Sequence, residues 1–266
     1  MPHHRIVTIA KKIVTIFVIV SVSACSGKEE DEFDPHELDR FGLTPVHHAA
    51  QANDAVELES LLVDYFADPD VPDADGVAPI HRAARDGYRE IVLMLLSYKA
   101  DPDILTSSGW SPVMLATRDN RLDVVQLLSQ QGVELFSETP NNESLLELAV
   151  KTQNPEMIFF FINKGYDINT MITNNHTPLS YSIKHDHFGL AYKLIDMGAS
   201  PNNPRSRTHI PIHMAIEKGN GTLITRLIGS KCDLKVQNLQ GQTPLEVAKA
   251  SGMDFAVEQI KLYDVE

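Results

Sequence analysis

The chain has 266 residues and carries 23 Lys and Arg against 36 Asp and Glu, a formal charge of −13. An acid excess of that size excludes a general nucleic-acid binder, whose surface has to carry the opposite sign. Cys25 and Cys232 are the only cysteines, too few for a disulfide framework.

The first residues read as a signal for export. Arg5, Lys11 and Lys12 form a basic start with no acid before Glu29, and an apolar run of 12 residues follows from Ile13 to Ala24. That run is too short to cross a membrane, which takes about 20 residues, and its length and flanks are those of a removable leader.

The segment Val22-Ser23-Ala24-Cys25 resembles the lipobox of bacterial lipoproteins. The resemblance implies diacylglycerol on the Cys25 thiol, cleavage after residue 24 and acylation of the new N-terminus. Ser26 stands where inner-membrane lipoproteins often carry Asp, so the resemblance implies the outer membrane, facing the periplasm. Several acyl chains exceed what stable anchoring needs. Removing the leader takes away three cations and no acid, leaving a formal charge of −16 and Cys232 as the one other thiol. Residues 25–32, Cys-Ser-Gly-Lys-Glu-Glu-Asp-Glu, read as an acidic, solvated tether.

From residue 33 to 266 one phrase returns. Thr44-Pro45-Val46-His47-His48-Ala49-Ala50 is followed by Ala78-Pro79-Ile80-His81-Arg82-Ala83-Ala84 and by related segments at Pro112, Leu145, Pro178, Pro211 and Pro244. The first step is 34 residues and the others are 33. A fixed period of this length predicts a stacked repeat array.

Each repeat predicts the same elements in the same order. Three residues before each anchor stand Gly42, Gly76, Gly109, Asn142, Asn175, Thr208 and Gly241, most of which can close a tight turn with φ > 0. Thr or Ser then caps a first helix that has Pro in its first turn. One apolar residue follows (Val46, Ile80, Val113, Leu146, Leu179, Ile212, Leu245), then a small one where neighbouring helices approach (Ala49, Ala83, Ala116, Ala149, Ser182, Ala215, Ala248). The helix stops at Asn53, Gly87, Asn120, Gln153, Asp186, Gly219 and Gly252, six of which tolerate a left-handed cap. A second helix with apolar pairs such as Leu61-Leu62 and Leu95-Leu96 leads to a hairpin of about nine residues.

Helix, turn, helix and hairpin, with Thr-Pro-Leu-His-x-Ala-Ala and Gly-Ala-Asp signatures, resemble the ankyrin repeat. The resemblance implies an all-α repeat solenoid of about seven ankyrin repeats over residues 33–266. Repeat four departs most, with Leu145 for Pro and Glu147 for His, and repeat six has Thr208 for Gly. The resemblance further implies a non-enzymatic module that binds another protein through hairpin tips and the concave face of its first helices. The expected protein is therefore a lipid-anchored monomer of the bacterial envelope, with no cofactor and no metal. The alternative is an inhibitor or immunity protein that blocks a toxic or envelope enzyme. An acidic surface suits a basic partner in either case.

Two sets of side chains are candidates for the interface. Six residues after each anchor stand Gln51, Arg85, Arg118, Lys151, Lys184, Glu217 and Ala250, so four consecutive repeats place a cation in line. With Trp110, His176 and His209, two residues before their anchors, this row is expected to receive an acidic segment of the partner, with Trp110 as its anchor. The second set is the acidic hairpin carrying Asp73 and Asp75. Residues 28–104 hold 19 acids and 6 bases, while 105–266 hold 17 and 14, so the charge is concentrated in the first repeats. Val71 breaks the spacing of a calcium loop, and Arg82 stands where its bidentate Glu belongs. His47, His81 and His213 occupy the repeat's own His position and read as structural. His185-Asp186-His187 has no third ligand nearby. No phosphate-binding, dinucleotide or nucleophile-elbow motif appears.

Overall fold

A computed structural model describes residues 34–203 and 206–263. The leader, Cys25 and the tether lie outside them. Helices come in seven pairs: Pro45–Gln51 (α1) and Ala55–Val63 (α2), Pro79–Asp86 (α3) and Arg89–Ser97 (α4), Pro112–Arg118 (α5) and Leu122–Gln130 (α6), Leu145–Thr152 (α7) and Pro155–Asn163 (α8), Pro178–Lys184 (α9) and Phe188–Asp196 (α10), Pro211–Glu217 (α11) and Gly221–Gly229 (α12), Pro244–Ala250 (α13) and Asp254–Tyr263 (α14). Among the described residues there is no strand, only isolated bridges at Glu138 with Ser144 and Ile172 with His176. No helix there is long and apolar enough to cross a membrane.

Local chemistry sets these boundaries. Thr44, Ser111, Ser144, Thr177 and Thr243 each accept the N–H three residues on, closing the first helix of their repeat. Ala78 and Ile210 make no such side-chain bond. All seven expected stop positions have positive φ, from 56° at Asn53 to 85° at Gly87, Gln153 included at 61°. The hairpin turn has positive φ at every expected position except Thr208, whose side chain cannot take that conformation cheaply.

The small-residue position is buried in every repeat, Ser182 included; its hydroxyl donates to the Leu179 carbonyl at 2.7 Å, so no polar group is left unsatisfied. First helices stack on one another in sequence order, burying Val46, Ile80, Val113, Leu146, Leu179 and Ile212. Leu245 is half-buried in the last repeat, where α14 turns Glu258 and Lys261 to water.

Two ladders join one repeat to the next. In the first, the His47 ring accepts the Thr44 N–H at Nδ1 (3.1 Å) and reaches the Val77 carbonyl with Nε2 (2.9 Å). His81 accepts the Ala78 N–H and reaches the Ile104 and Trp110 carbonyls at 2.9 and 3.1 Å. His213 reaches the Gln242 carbonyl at 3.0 Å. Met114, Glu147 and Ser180 interrupt this ladder in repeats three to five.

The second ladder escaped the sequence reading. Asp70, Asp103, Asn169 and Asn202 accept the backbone N–H of Asp101, Glu134, Ser200 and Asp233, each 31 residues on, at 2.9, 3.3, 2.7 and 2.9 Å. Phe136 takes this place in repeat four, where it stacks on Tyr166 at 4.9 Å while the Tyr166 hydroxyl donates to the Leu135 carbonyl.

Candidate functional site

The first helices and the hairpins before them form one face, and the expected basic row lies on it. The structure completes the partial neutralisation that Asp86 and Asp119, each one residue beyond its arginine, imply. The Arg85 guanidinium meets Asp86 with two bonds, at 2.9 and 3.2 Å. Arg118 meets Asp119 likewise, at 3.3 and 2.8 Å. Lys151 pairs with Glu143 of its own hairpin and with Glu147 one turn back, at 3.2 Å. The two glutamates outweigh the cost of burial and raise the Lys151 ammonium above its usual range. Three of the four cations are thus matched by their own protein's carboxylates.

Lys184 differs. Among the described residues it has no carboxylate partner; its Nζ donates to His176 Nε2 at 3.2 Å. His176 was expected at a hairpin tip open to a partner, but it is 1% exposed. Its ring lies 3.6 Å from that of His209, and its Nδ1 meets the Ser180 hydroxyl at 3.2 Å. Burial, with His209 and Lys184 beside it, lowers the His176 pKa to about 4. His209 is half-buried, and its pKa falls for the same causes, burial first and then Lys184.

Trp110 is half-buried, not freely exposed. Its ring packs against the core, and the Arg118 guanidinium carbon sits 5.1 Å from its centre. Beside it opens a cleft of about 440 Å³ between repeats three and four, bounded by Arg118, Glu143, Leu148 and Lys151. This cleft has an aromatic wall, an apolar floor at Leu148 and charges already paired. It can receive a side chain without first stripping a bare charge of water.

The acidic hairpin is also corrected. The Asp73 carboxylate is 5% exposed and bound by Arg82 at 2.5 Å, while it accepts the N–H groups of Asp75 and Val77 at 2.9 Å each. It closes the turn and is not open to a partner. Burial opposes its ionisation, but the bonds from Val77 and Arg82 prevail and hold it below its usual pKa. Asp75 stays exposed, and its carbonyl accepts the Ser107 N–H.

Among the described residues no three His, Cys, Asp or Glu gather as metal ligands. His185 and His187 stack at 6.0 Å, and the Asp186 between them pairs with Lys218 at 2.7 Å. Cys232 is buried, which pushes its thiol up to about 12. Glu147 as the partner of Lys151 was readable at i, i+4. Glu143 was not, because the hairpin alone brings it back over α7.

A family profile described as ankyrin repeats (3 copies) matches residues 11–106, 67–139, 96–172 and 113–205. Among solved structures, the human ASB11 ankyrin repeat domain is similar at 22% identity and a TM-score of 0.65, over 83% of this chain and 98% of that one. The ankyrin repeat domain of Bcl-3, described as a unique member of the IkappaB protein family, is similar at 21% identity and a TM-score of 0.68, over 83% and 99%. At that identity the likeness carries the fold alone. No curated protein matches the chain.

Proposed function

The chain belongs to the ankyrin-repeat family, whose domains are generally protein–protein interaction modules, and from that premise we propose that it binds another protein along the face of its first helices while a lipid on Cys25 holds it at a bacterial membrane, outermost by the lipobox rule and facing the periplasm. The observation that carries the interaction reading is the cleft at Trp110. A half-buried Trp clamped by an Arg over an apolar floor is the kind of anchor on which binding energy concentrates. The chain offers a long repeated surface, the kind that stacked repeats use for binding. Its net acidity suits a basic partner outside the cleft, and blocking a basic toxic enzyme is the form of that interaction favoured by the charge.

Capture of envelope proteins by crosslinking, followed by identification, tests the reading. Trp110→Ala is expected to weaken the captured complex by about 2 kcal/mol, roughly thirtyfold. Arg118→Glu should weaken it as well, by removing the clamp. Both variants should still melt cooperatively. Undiminished capture by both would place the interface elsewhere.

Anchoring has its own test. Fed a fatty-acid probe, cells should label the wild type and not Cys25→Ala, and Cys232 cannot substitute because its thiol is buried and un-ionised. Equal labelling would end the lipid reading and leave the interaction reading untouched.

A further inference from the structure

Resting on the interaction reading above, we propose that Lys184, with the adjoining rings of His209 and His176, is the seat for a carboxylate carried by an acidic segment of the partner protein. Arg85, Arg118 and Lys151 are neutralised by Asp86, Asp119, Glu143 and Glu147. The uncompensated positive charge of the row therefore stands at repeat five.

The partner that Lys184 has is a neutral one. A ring nitrogen accepts a hydrogen bond only when it holds no proton, so Lys184 fixes His176 as the tautomer protonated at Nδ1, which then donates to Ser180. This bond orients the ammonium and cancels none of its charge. The His209 ring lies against that of His176, centres 3.6 Å apart and tilted by 37°, with its own Nδ1 within 3.2 Å of the Ser206 and Thr208 hydroxyls.

Among the described residues the surroundings add no anion. On α9, Tyr181 lies edge-on to His176, and its ring is tilted by 37° to that of His185 with the centres 4.4 Å apart. Asp186 is the nearest carboxylate in sequence, and Lys218 of the next repeat occupies it at 2.7 Å. The cluster thus holds one ammonium and two imidazoles that burial and that ammonium keep unprotonated at neutral pH.

An arriving carboxylate changes this balance. It accepts from Lys184 and sets a negative charge beside the rings, which favours their protonation. Binding therefore takes up protons, and affinity rises as the pH falls below neutral. Among the described residues the rings meet one ammonium and no guanidinium fork, which matches a single carboxylate better than a phosphate dianion, which prefers several cations.

The test is a titration of the full-length chain with acetylated hexaglutamate, followed by the histidine Cε1–H resonances, with hexalysine and inorganic phosphate as comparisons. Hexaglutamate should displace the His176 and His209 signals and leave those of His47 and His81 in place. Affinity should rise severalfold between about pH 7.5 and 5.5. Lys184→Gln, a change at an exposed side chain whose fold a melt verifies, should abolish the displacement. The proposal falls if those two signals stay still, if they move equally in Lys184→Gln, or if phosphate moves them as strongly as the peptide. Capture of the same partner by wild type and Lys184→Gln alike would remove the seat and leave the interaction reading standing. Hexaglutamate binding with no protein captured would do the reverse.

Discussion

Gly76→Ala is expected to destabilise the array by about 3 kcal/mol, whereas Gly241→Ala, the same change at the same place in the last repeat, should cost about 1 kcal/mol. Both glycines turn a hairpin at nearly the same φ, +73° and +76°, so the strain of putting an L-residue there is common to both. Their neighbours differ. A Cβ on Gly76 would stand 2.5 Å from the backbone nitrogen and the hydroxyl of Ser107, in the hairpin of the next repeat. That nitrogen donates to the Asp75 carbonyl, so the two hairpins cannot part without losing a bond between repeats. A Cβ on Gly241 meets nothing within 4 Å. Gly109 falls between them, with the Pro140 ring at 3.3 Å, and Gly42 has the Ala74 nitrogen at an ordinary 3.6 Å. Urea melts of the four alanine variants should rank them Gly76, Gly109, then Gly42 and Gly241 together. Four equal losses would mean that backbone strain alone acts and the hairpins do not bear on one another.

That ranking marks how far the sequence could be read. The helices, turns and caps follow from residues a few positions apart and recur from repeat to repeat, so chance departures such as Gln153 or Ser182 did not obscure them. Gln153 even takes the left-handed cap that its residue type did not advertise. Bonds between repeats join residues about 31 positions apart, and nothing in a local pattern shows which carboxylate is spent on them. The acidity of the first hairpins therefore looked like a docking surface. Asp70, Asp73 and Asp103 are instead acceptors for backbone N–H groups, and the recurrence of Asp or Asn at positions 70, 103, 169 and 202 was the signal that could have shown it.

The interface row met the same limit. Its spacing was legible, and the four cations do lie on the first-helix face. Their state was not, because Glu143 reaches Lys151 across a hairpin and His176 folds inward beneath Lys184. Asp86 and Asp119, adjacent in sequence to Arg85 and Arg118, were the visible part of that neutralisation.

His81→Ala should cost about 3 kcal/mol at neutral pH and flatten the acid sensitivity of the array. The ring is fully buried; it bonds the Ala78 N–H and the Ile104 and Trp110 carbonyls at once, and its removal leaves a cavity and strips the Ala78 N–H and the Ile104 carbonyl of their bonds, while the Trp110 carbonyl keeps the Thr106 N–H. His213→Ala should cost less, since the His213 Nδ1 has no partner to abandon. The acid effect has a definite sign. Burial lowers the pKa of His47, His81 and His213 from 6.5, and it lowers those of His176 and His209 as well. Below pH 6.5 the unfolded chain binds protons that these folded rings refuse, so stability rises with pH across that range. It is complete above 6.5 and is lost as the pH falls through 6.5 towards the lowered values. Asp39, Asp73 and Glu246 are shifted down too, but from 3.8 and 4.5, so their contribution disappears only at lower pH. The interval from about pH 6.5 to 5 therefore reports on the histidines. Wild type should lose melting temperature steadily across it, and His81→Ala, which starts lower, should lose less. A variant that falls in parallel with wild type would show that His81 is protonated in the folded array, and the His ladder would then be a set of charged contacts, contrary to the neutral bridge drawn from its geometry.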